Sequence, residues 1–171
     1  QSGHVAAVGF ELYVELLGEA VAELSGTARR TPRPVRIDAQ VDAYIPAEYI
    51  DAEALKIDLH RRLALVADED EVRELEVATA DRFGEIPEPV ANLFSIQRAK
   101  LRVAEAGCEY LVYRDGRVAV GPLVLGSSDL KGLRSHADTA VYRSAQREVT
   151  LRVASLGEAL ALLAAILEIV A

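Results

Sequence analysis

Cysteine, histidine and methionine are scarce or missing in this chain of 171 residues. Cys108 is the only cysteine, which excludes an intramolecular disulfide framework and a cysteine-rich zinc site, and fits a reducing compartment such as the cytoplasm. The three histidines, His4, His60 and His136, form neither an HExxH pattern nor an i, i+4 pair that would bind zinc. We therefore expect a cytoplasmic protein with no metal site and no cofactor.

Long hydrophobic runs are also missing. The longest apolar run covers residues 159–167 and is bounded by Glu158 and Glu168. It is far shorter than the ~20 residues that a helix needs to cross a bilayer. We therefore expect no membrane-spanning segment.

The motifs of common enzymes do not occur in this sequence. The segment LALVADEDE, residues 63–71, looks like a Walker-B strand, but no GxxxxGK[ST] phosphate loop accompanies it. Its leucines follow a helical period, which favours a break between two helices. There is no GxSxG nucleophile elbow, and Ser127 or Ser128 is better explained as the cap of a short helix. The sequence therefore indicates a protein that is not an enzyme.

Positive charge is in short supply, since the formal net charge is -8. A negative protein is repelled by phosphate backbones at long range, which disfavours a nucleic-acid clamp. One basic cluster does occur, in SGTARRTPRPVR, where the arginines are Arg29, Arg30, Arg33 and Arg36. Its glycine, threonines and prolines favour a solvated linker. A nucleic-acid-binding accessory role for Arg29 to Arg36 is the alternative.

The chain does have the composition of a globular domain, with 51% hydrophobic and 27% charged residues. Residues 8–24 place apolar side chains on more than one helical face, which predicts a helix covered from two sides. Residues 27–34 predict a linker, and residues 35–43 alternate apolar and polar side chains as a strand does. We therefore expect a short segment over residues 1–26 and a main domain over residues 35–171.

Three helical patterns follow the first strand of the main domain. The first begins after Asp51 as its N-cap, and the second begins within residues 68–71. The third starts next to Pro87 and ends at Gly107, with Ala104 among its core-facing residues. These patterns predict consecutive helices rather than alternating strands and helices.

After Gly107 the pattern changes to strands. Asp115 and Gly116 mark a two-residue hairpin turn, and a short helix, two further strands and an apolar helix capped by Ser155 follow. Helices segregated from antiparallel strands predict an α+β fold, in which helices pack with a small antiparallel sheet.

The stretch DRFGEIPEPV, residues 81–90, is mostly a helix end followed by a helix start. Asp81 does not fit this explanation, because a carboxylate in the last turn meets the negative end of the helix dipole. On a helical wheel, Glu71, Glu74, Ala78 and Asp81 lie opposite the apolar stripe. This side is either solvated, with Asp81 paired to a nearby arginine, or docks a basic partner. The candidate interface residues are Glu71, Glu74, Asp81 and Arg82.

Two segments of the chain resemble one bacterial family. They are QSGHVAAVGFELYVELLGEAV at the start and ADRFGEIPEPV in the middle. Their separation along the chain is also similar to the separation in that family. The family is that of the transcription-repair coupling factors. The resemblance implies that residues 1–26 are the tail of the helicase motor module and that residues 35–171 are the C-terminal regulatory domain. A chain that starts without methionine agrees with a piece of a larger protein.

In this family a motor uses ATP to translocate on duplex DNA, displaces stalled RNA polymerase and recruits UvrA. The resemblance implies that the ATPase lies outside this chain. It also implies that the C-terminal domain is autoinhibitory: it packs on the UvrB-like N-terminal module of the same protein and masks its UvrA-binding surface until the motor engages. Family members can carry acidic residues before DRFG that face this module. Asp81 matches such a position, whereas Ala78 does not.

Overall fold

A computed structural model describes residues 35–170, without the side chains of His136 and of residues 167–170. The predicted helix over residues 8–24, the boundary at residue 26 and the linker over residues 27–34 lie outside the described residues. Of the four clustered arginines, only Arg36 falls in the described part of the chain, where it is exposed at the start of the first strand.

The described chain is an α+β domain, as predicted. Its elements are, in order, β1 (Arg36–Ala39), α1 (Glu53–Leu65), α2 (Glu69–Phe83), α3 (Glu88–Glu105), β2 (Tyr110–Arg114), β3 (Arg117–Gly121), α4 (Ser127–His136), β4 (Val141–Arg143), β5 (Glu148–Arg152) and α5 (Leu156–Val170). The break between α1 and α2 confirms that residues 63–71 are a helix boundary rather than a Walker-B strand.

The five strands form one sheet in the order β1-β2-β3-β5-β4. Three pairings are antiparallel, but β1 runs parallel to β2, with Ile37 opposite Leu111. The expectation of a purely antiparallel sheet is therefore wrong for β1. The reason is that α1, α2 and α3 lie between the two strands, and a helical crossover of this kind returns the chain in the same direction.

Several predicted element ends need correction. The first strand covers only four residues instead of the predicted nine. Ala52, not Asp51, is the N-cap of α1, and it makes no side-chain cap hydrogen bond. Gly126, not Ser127 or Ser128, is the N-cap of α4, and the Asp129 carboxylate accepts its backbone N–H at 2.7 Å. Neither helix start therefore has a capping side chain at its N-cap position.

Other local predictions are confirmed. Gly107 has φ +68°, and the amides of Gly107 and Cys108 bond to the carbonyls of Ala104 and Val103, which is the Schellman pattern at a helix end. Asp115 and Gly116 both have positive φ, as a two-residue type I′ hairpin turn requires. The N–H of Glu158 bonds to the Ser155 hydroxyl at 3.2 Å and caps α5.

Two hydrophobic clusters hold the domain together. One joins the inner face of the sheet to α4, α5 and the second half of α3, and the other joins α1, α2 and the first half of α3. Phe94 and Val103, both fully buried, place α3 in both clusters. Ala104 is exposed, contrary to its predicted inward position, because the inward arc of the helix passes through Ala99 and Val103.

Candidate interaction surface

Helix α2 starts at a well-formed N-terminal cap. Its N-cap, Asp68, accepts the N–H of Glu71 at 2.9 Å, and the Glu71 carboxylate in turn accepts the N–H of Ala67 at 2.6 Å. The two acids thus satisfy backbone donors that a helix start otherwise leaves unpaired. Glu71 therefore has a structural task, although its side chain is exposed.

One side of α2 is buried against its neighbours. Val72, Leu75 and Thr79 are buried, and the Thr79 hydroxyl donates to the Leu75 carbonyl at 2.6 Å. This agrees with the predicted apolar stripe and confirms that the stripe decides which side faces the core. Because this stripe is buried, the side chains on the opposite side of α2 point away from the core.

Ion pairs connect α2 to α3. Arg98 pairs with Glu76, and Arg102 pairs with Glu69 while also donating to the carbonyl of Leu160 in α5. The hydrogen bond from Arg102 holds the pKa of the Glu69 carboxyl below its ordinary value, despite partial desolvation. The same bond raises the pKa of the Arg102 guanidinium. These contacts fix the rotation of α2 on the domain.

The opposite side of α2 is uncovered within the described part of the chain. We call it the α2 outer face, formed by Glu71, Glu74, Ala78 and Asp81, all of which are exposed. Among residues 35–170, the side chains of Glu74 and Asp81 make no hydrogen bond or ion pair with another described residue. The structure thus brings all the predicted acids to one surface, but commits Glu71 to the helix cap.

Arg82 lies beside this face, and its side chain contacts Phe83, the last residue of the same helix. Its guanidinium lies 5.0 Å from the centroid of the Phe83 ring, in cation–π geometry. Phe83 also meets Tyr49 edge to face at 6.0 Å, and the Tyr49 hydroxyl donates to the Gly84 carbonyl at 3.1 Å. The end of α2 is therefore anchored to Tyr49, and Asp81 is the exposed carboxylate of this last turn.

Val77 is a member of this surface that the sequence analysis missed. It is 55% exposed between the positions of Glu74 and Asp81. A large apolar residue on the polar side of a helix is the signal that could have identified it. Together with Ala78 it adds a small apolar area to a surface that otherwise carries carboxylates.

The only cysteine and the described histidine side chain show no sign of a reactive or metal-binding site. Cys108 is buried, and desolvation raises the pKa of its thiol to about 11, which leaves it protonated and unreactive. His60 is half-buried, and desolvation lowers its pKa. Within residues 35–170, no three His, Cys, Asp or Glu side chains are grouped to hold a metal ion. No helix of that range combines the length and apolarity of a membrane span.

A family model and curated relatives indicate the same family for this chain. The TRCF domain model matches residues 39–121, which include β1, α1, α2, α3 and the first hairpin. A transcription-repair-coupling factor of Mycobacterium bovis is 35% identical over 169 residues, which is 92% of this chain and 14% of that protein. One of Bacillus subtilis is 37% identical over 112 residues, covering 65% of this chain and 10% of that protein.

A solved structure gives the same fold. The crystal structure of a C-terminal domain of transcription-repair coupling factor superposes with a TM-score of 0.69 at 24% identity. The match covers 82% of this chain and 96% of that chain. The chain described here spans about one seventh of the length of the curated relatives it matches in Mycobacterium.

Proposed function

Because this chain carries a TRCF domain and belongs with the C-terminal region of the transcription-repair-coupling factors, we propose that it is a non-catalytic, autoinhibitory interaction domain. In this proposal the α2 outer face packs on the UvrB-like N-terminal module of the same protein. The contact masks the UvrA-binding surface until the motor engages stalled RNA polymerase. The ATPase and the contacts with duplex DNA belong to other parts of a cytoplasmic protein.

The observation that supports this proposal is the exposed pair of carboxylates at Glu74 and Asp81. A carboxylate in the last turn of a helix costs a few tenths of a kcal/mol unless a cation offsets the dipole. Arg82 is the basic residue of this turn, but its guanidinium lies over the Phe83 ring, and no described side chain forms an ion pair that supplies a cation to Asp81. A basic side chain on a docked module would supply it, with arginine as the best match because it binds carboxylates with two parallel hydrogen bonds.

The proposed contact has to open as well as close. Interfaces between domains of one chain bury roughly 600–1,500 Å², which is small enough to be reversible. Charge pairs at the rim of such a contact set its register and its salt sensitivity more than its affinity. A ligand that binds only the open form shifts the population by its differential affinity for that form. Stalled polymerase, acting through the motor, is the proposed trigger.

The test is binding in trans between this chain and the isolated UvrB-like module of the same protein. Asp81→Arg should weaken binding about tenfold, or 1.4 kcal/mol, because it turns an attractive charge pair into a repulsive one. Ala78→Glu should strengthen binding, because it adds an acid one turn before Asp81 on the same face. Titration calorimetry at two salt concentrations measures both effects.

A matched control is Asp138→Arg, which makes the same charge change in the exposed loop between α4 and β4. It should leave binding unchanged. Asp81→Arg should not destabilise the domain, because it removes a negative charge from the negative end of α2. Equal affinities for the wild type, Asp81→Arg and Ala78→Glu would remove the α2 outer face from the interface and contradict the proposal.

A further inference from the structure

The sheet is covered by helices on one face only, as far as the described residues show. Alternate residues such as Leu111, Val118 and Val149 point into the cluster formed with α3, α4 and α5. Their neighbours Val112 and Ala119 belong to neither hydrophobic cluster. The opposite surface of the strands, which we call the outer sheet face, is therefore open within residues 35–170.

The centre of the outer sheet face is a continuous row of small, largely apolar side chains. The strand registers place Val112 opposite Ala119, Ala119 opposite Thr150, and Thr150 opposite Val141. Val141 is 55% exposed and the other three are half-buried. We call these four residues the middle row, and a shallow depression of about 420 Å³ includes them. The row crosses four neighbouring strands without a bulky residue to interrupt it.

A row of three arginines lies beside the middle row. Arg114 is directly opposite Arg117, and Arg117 is directly opposite Arg152. Like charges at such positions destabilise a sheet. The Arg114 side chain is held by Asp38 at 2.8 Å, whereas the side chains of Arg117 and Arg152 make no hydrogen bond or ion pair with any residue in the described range. Two guanidinium groups therefore remain without an ion-pair partner among the residues that the structure describes.

Within residues 35–170, the acids near Arg117 and Arg152 form no ion pair with them. Asp115 and Glu158 line the same cleft at the end of the hairpin. The Glu158 carboxylate accepts the backbone N–H of Ala154 and so belongs to the cap of α5. On the other side of the middle row, Arg143 faces Glu148 at 3.7 Å. The arginine side of the outer sheet face is thus the side with unmatched charge.

We propose that the outer sheet face binds an acidic amphipathic helix of a partner protein. Three strand spacings of about 4.8 Å give a row of about 14 Å, the length of roughly ten helical residues. The apolar stripe of such a helix covers the middle row, and its flanking carboxylates meet Arg117 and Arg152, which can bind them in bidentate geometry. A single-stranded nucleic acid fits less well, because the middle row offers no aromatic side chain for base stacking.

The probe for this site is a fluorescent synthetic helix with leucines at i, i+3, i+4 and i+7 and glutamates beside them. The 171-residue chain should bind it, and Arg117→Glu/Arg152→Glu should weaken binding at least about tenfold in fluorescence anisotropy. Replacing the leucines of the probe by glutamine should also abolish binding. Methyl resonances of Val112 and Val141 should shift on titration if the helix lies on the middle row.

The matched control is Lys131→Glu/Arg134→Glu, which makes the same charge change at exposed positions of α4. It should bind the probe as the wild type does, and circular dichroism checks that both double variants are folded. The proposal is overturned if the probe does not bind, or if binding does not depend on Arg117 and Arg152. It is also overturned if these arginines instead bind duplex DNA, or a second copy of the chain through its α2 outer face.

Discussion

Gly121 shows how one missing side chain shapes the surface of the sheet. A Cβ at this position would lie 2.9 Å from the Tyr110 hydroxyl oxygen and 3.0 Å from the Arg147 carbonyl oxygen. Tyr110 instead passes over the glycine and donates a hydrogen bond to Glu148 at 2.9 Å. Burial first, and then this hydrogen bond, raise the pKa of Tyr110 to about 12. The phenol is therefore neutral and remains a donor at every ordinary pH.

We predict that Gly121→Ala destabilises the domain by about 1–3 kcal/mol, the usual cost of inserting a methyl group into a filled site. Urea denaturation followed by circular dichroism measures the change in the free energy of unfolding. Gly157→Ala is the matched control: its nearest neighbour would be the Ser155 hydroxyl at an ordinary 3.6 Å, and Gly157 lies in α5. That variant should gain roughly 0.5–1 kcal/mol, because alanine favours the helix. Equal effects of both variants would contradict the steric account of Gly121.

Among the elements, α3 holds its neighbouring helices in place through charged residues. Arg102 joins Glu69 at the start of α2 to the Leu160 carbonyl of α5. The Arg102 side chain is about four-fifths buried and the Glu69 side chain about three-fifths buried. The pair is therefore screened less than an ion pair on the surface, and it links the α1–α2 part of the domain to the helices that cover the sheet.

This pair predicts a loss of stability in acid. The pKa of Glu69 is lower in the folded state than its ordinary value of about 4.5. Its contribution is therefore fully present above that ordinary value and is lost as the pH falls through the lower folded-state pKa. Glu69→Gln should cost about 1 kcal/mol at pH 7 and should make the free energy of unfolding less dependent on pH below 4.5.

The control for this prediction is Asp70→Asn, one residue along the same first turn. Asp70 pairs with Arg73 at 2.9 Å, but both side chains are more than two-thirds exposed. Chemical denaturation between pH 3 and pH 7 should show a smaller change than for Glu69→Gln. If the two variants have the same pH profile, the link between Glu69 and Arg102 does not contribute to folding.

At the scale of the molecule, residues 35–170 form two hydrophobic clusters that meet in one helix. The cluster of α1 and α2 contains eight buried residues, and the cluster of the sheet contains eighteen. Ile57 and Leu65 of α1 are about half exposed, so this helix buries little of its apolar surface within the described domain. The smaller cluster is therefore the less stable part, and it carries the α2 outer face.

Native-state hydrogen exchange should detect this difference. We predict that amides of α1 exchange through a partial unfolding with a lower free energy than those of β3 and β5, which exchange only on global unfolding. Phe94→Ala, in the smaller cluster, should lower the protection of α1 first. Leu163→Ala, in the larger cluster, should lower all protection together. A single opening energy for α1, β3 and β5 would show that the two clusters unfold as one.

Local chemistry in the sequence was enough to predict much of this domain. Helix α2 and its apolar stripe, the glycine stops at Gly84 and Gly107 and the hairpin turn at Asp115 depend on residues close in the chain. The exposed acids of α2 follow from the same helical period. The caps of α1 and α4 were predicted wrongly, because the residues at these N-cap positions, Ala52 and Gly126, carry no polar side chain that could signal a cap in the sequence.

The sequence by itself determined an α+β domain and an acidic side of one helix, because helical and strand periods and turn residues act over a few positions. Only the tertiary structure decided that β1 runs parallel to β2, that Glu71 belongs to a cap, and that Arg117 and Arg152 meet in one row. Strand partners are chosen by packing between residues far apart in the chain, and no local pattern carries that information. The surfaces available for partners are therefore a property of the assembled sheet and helices.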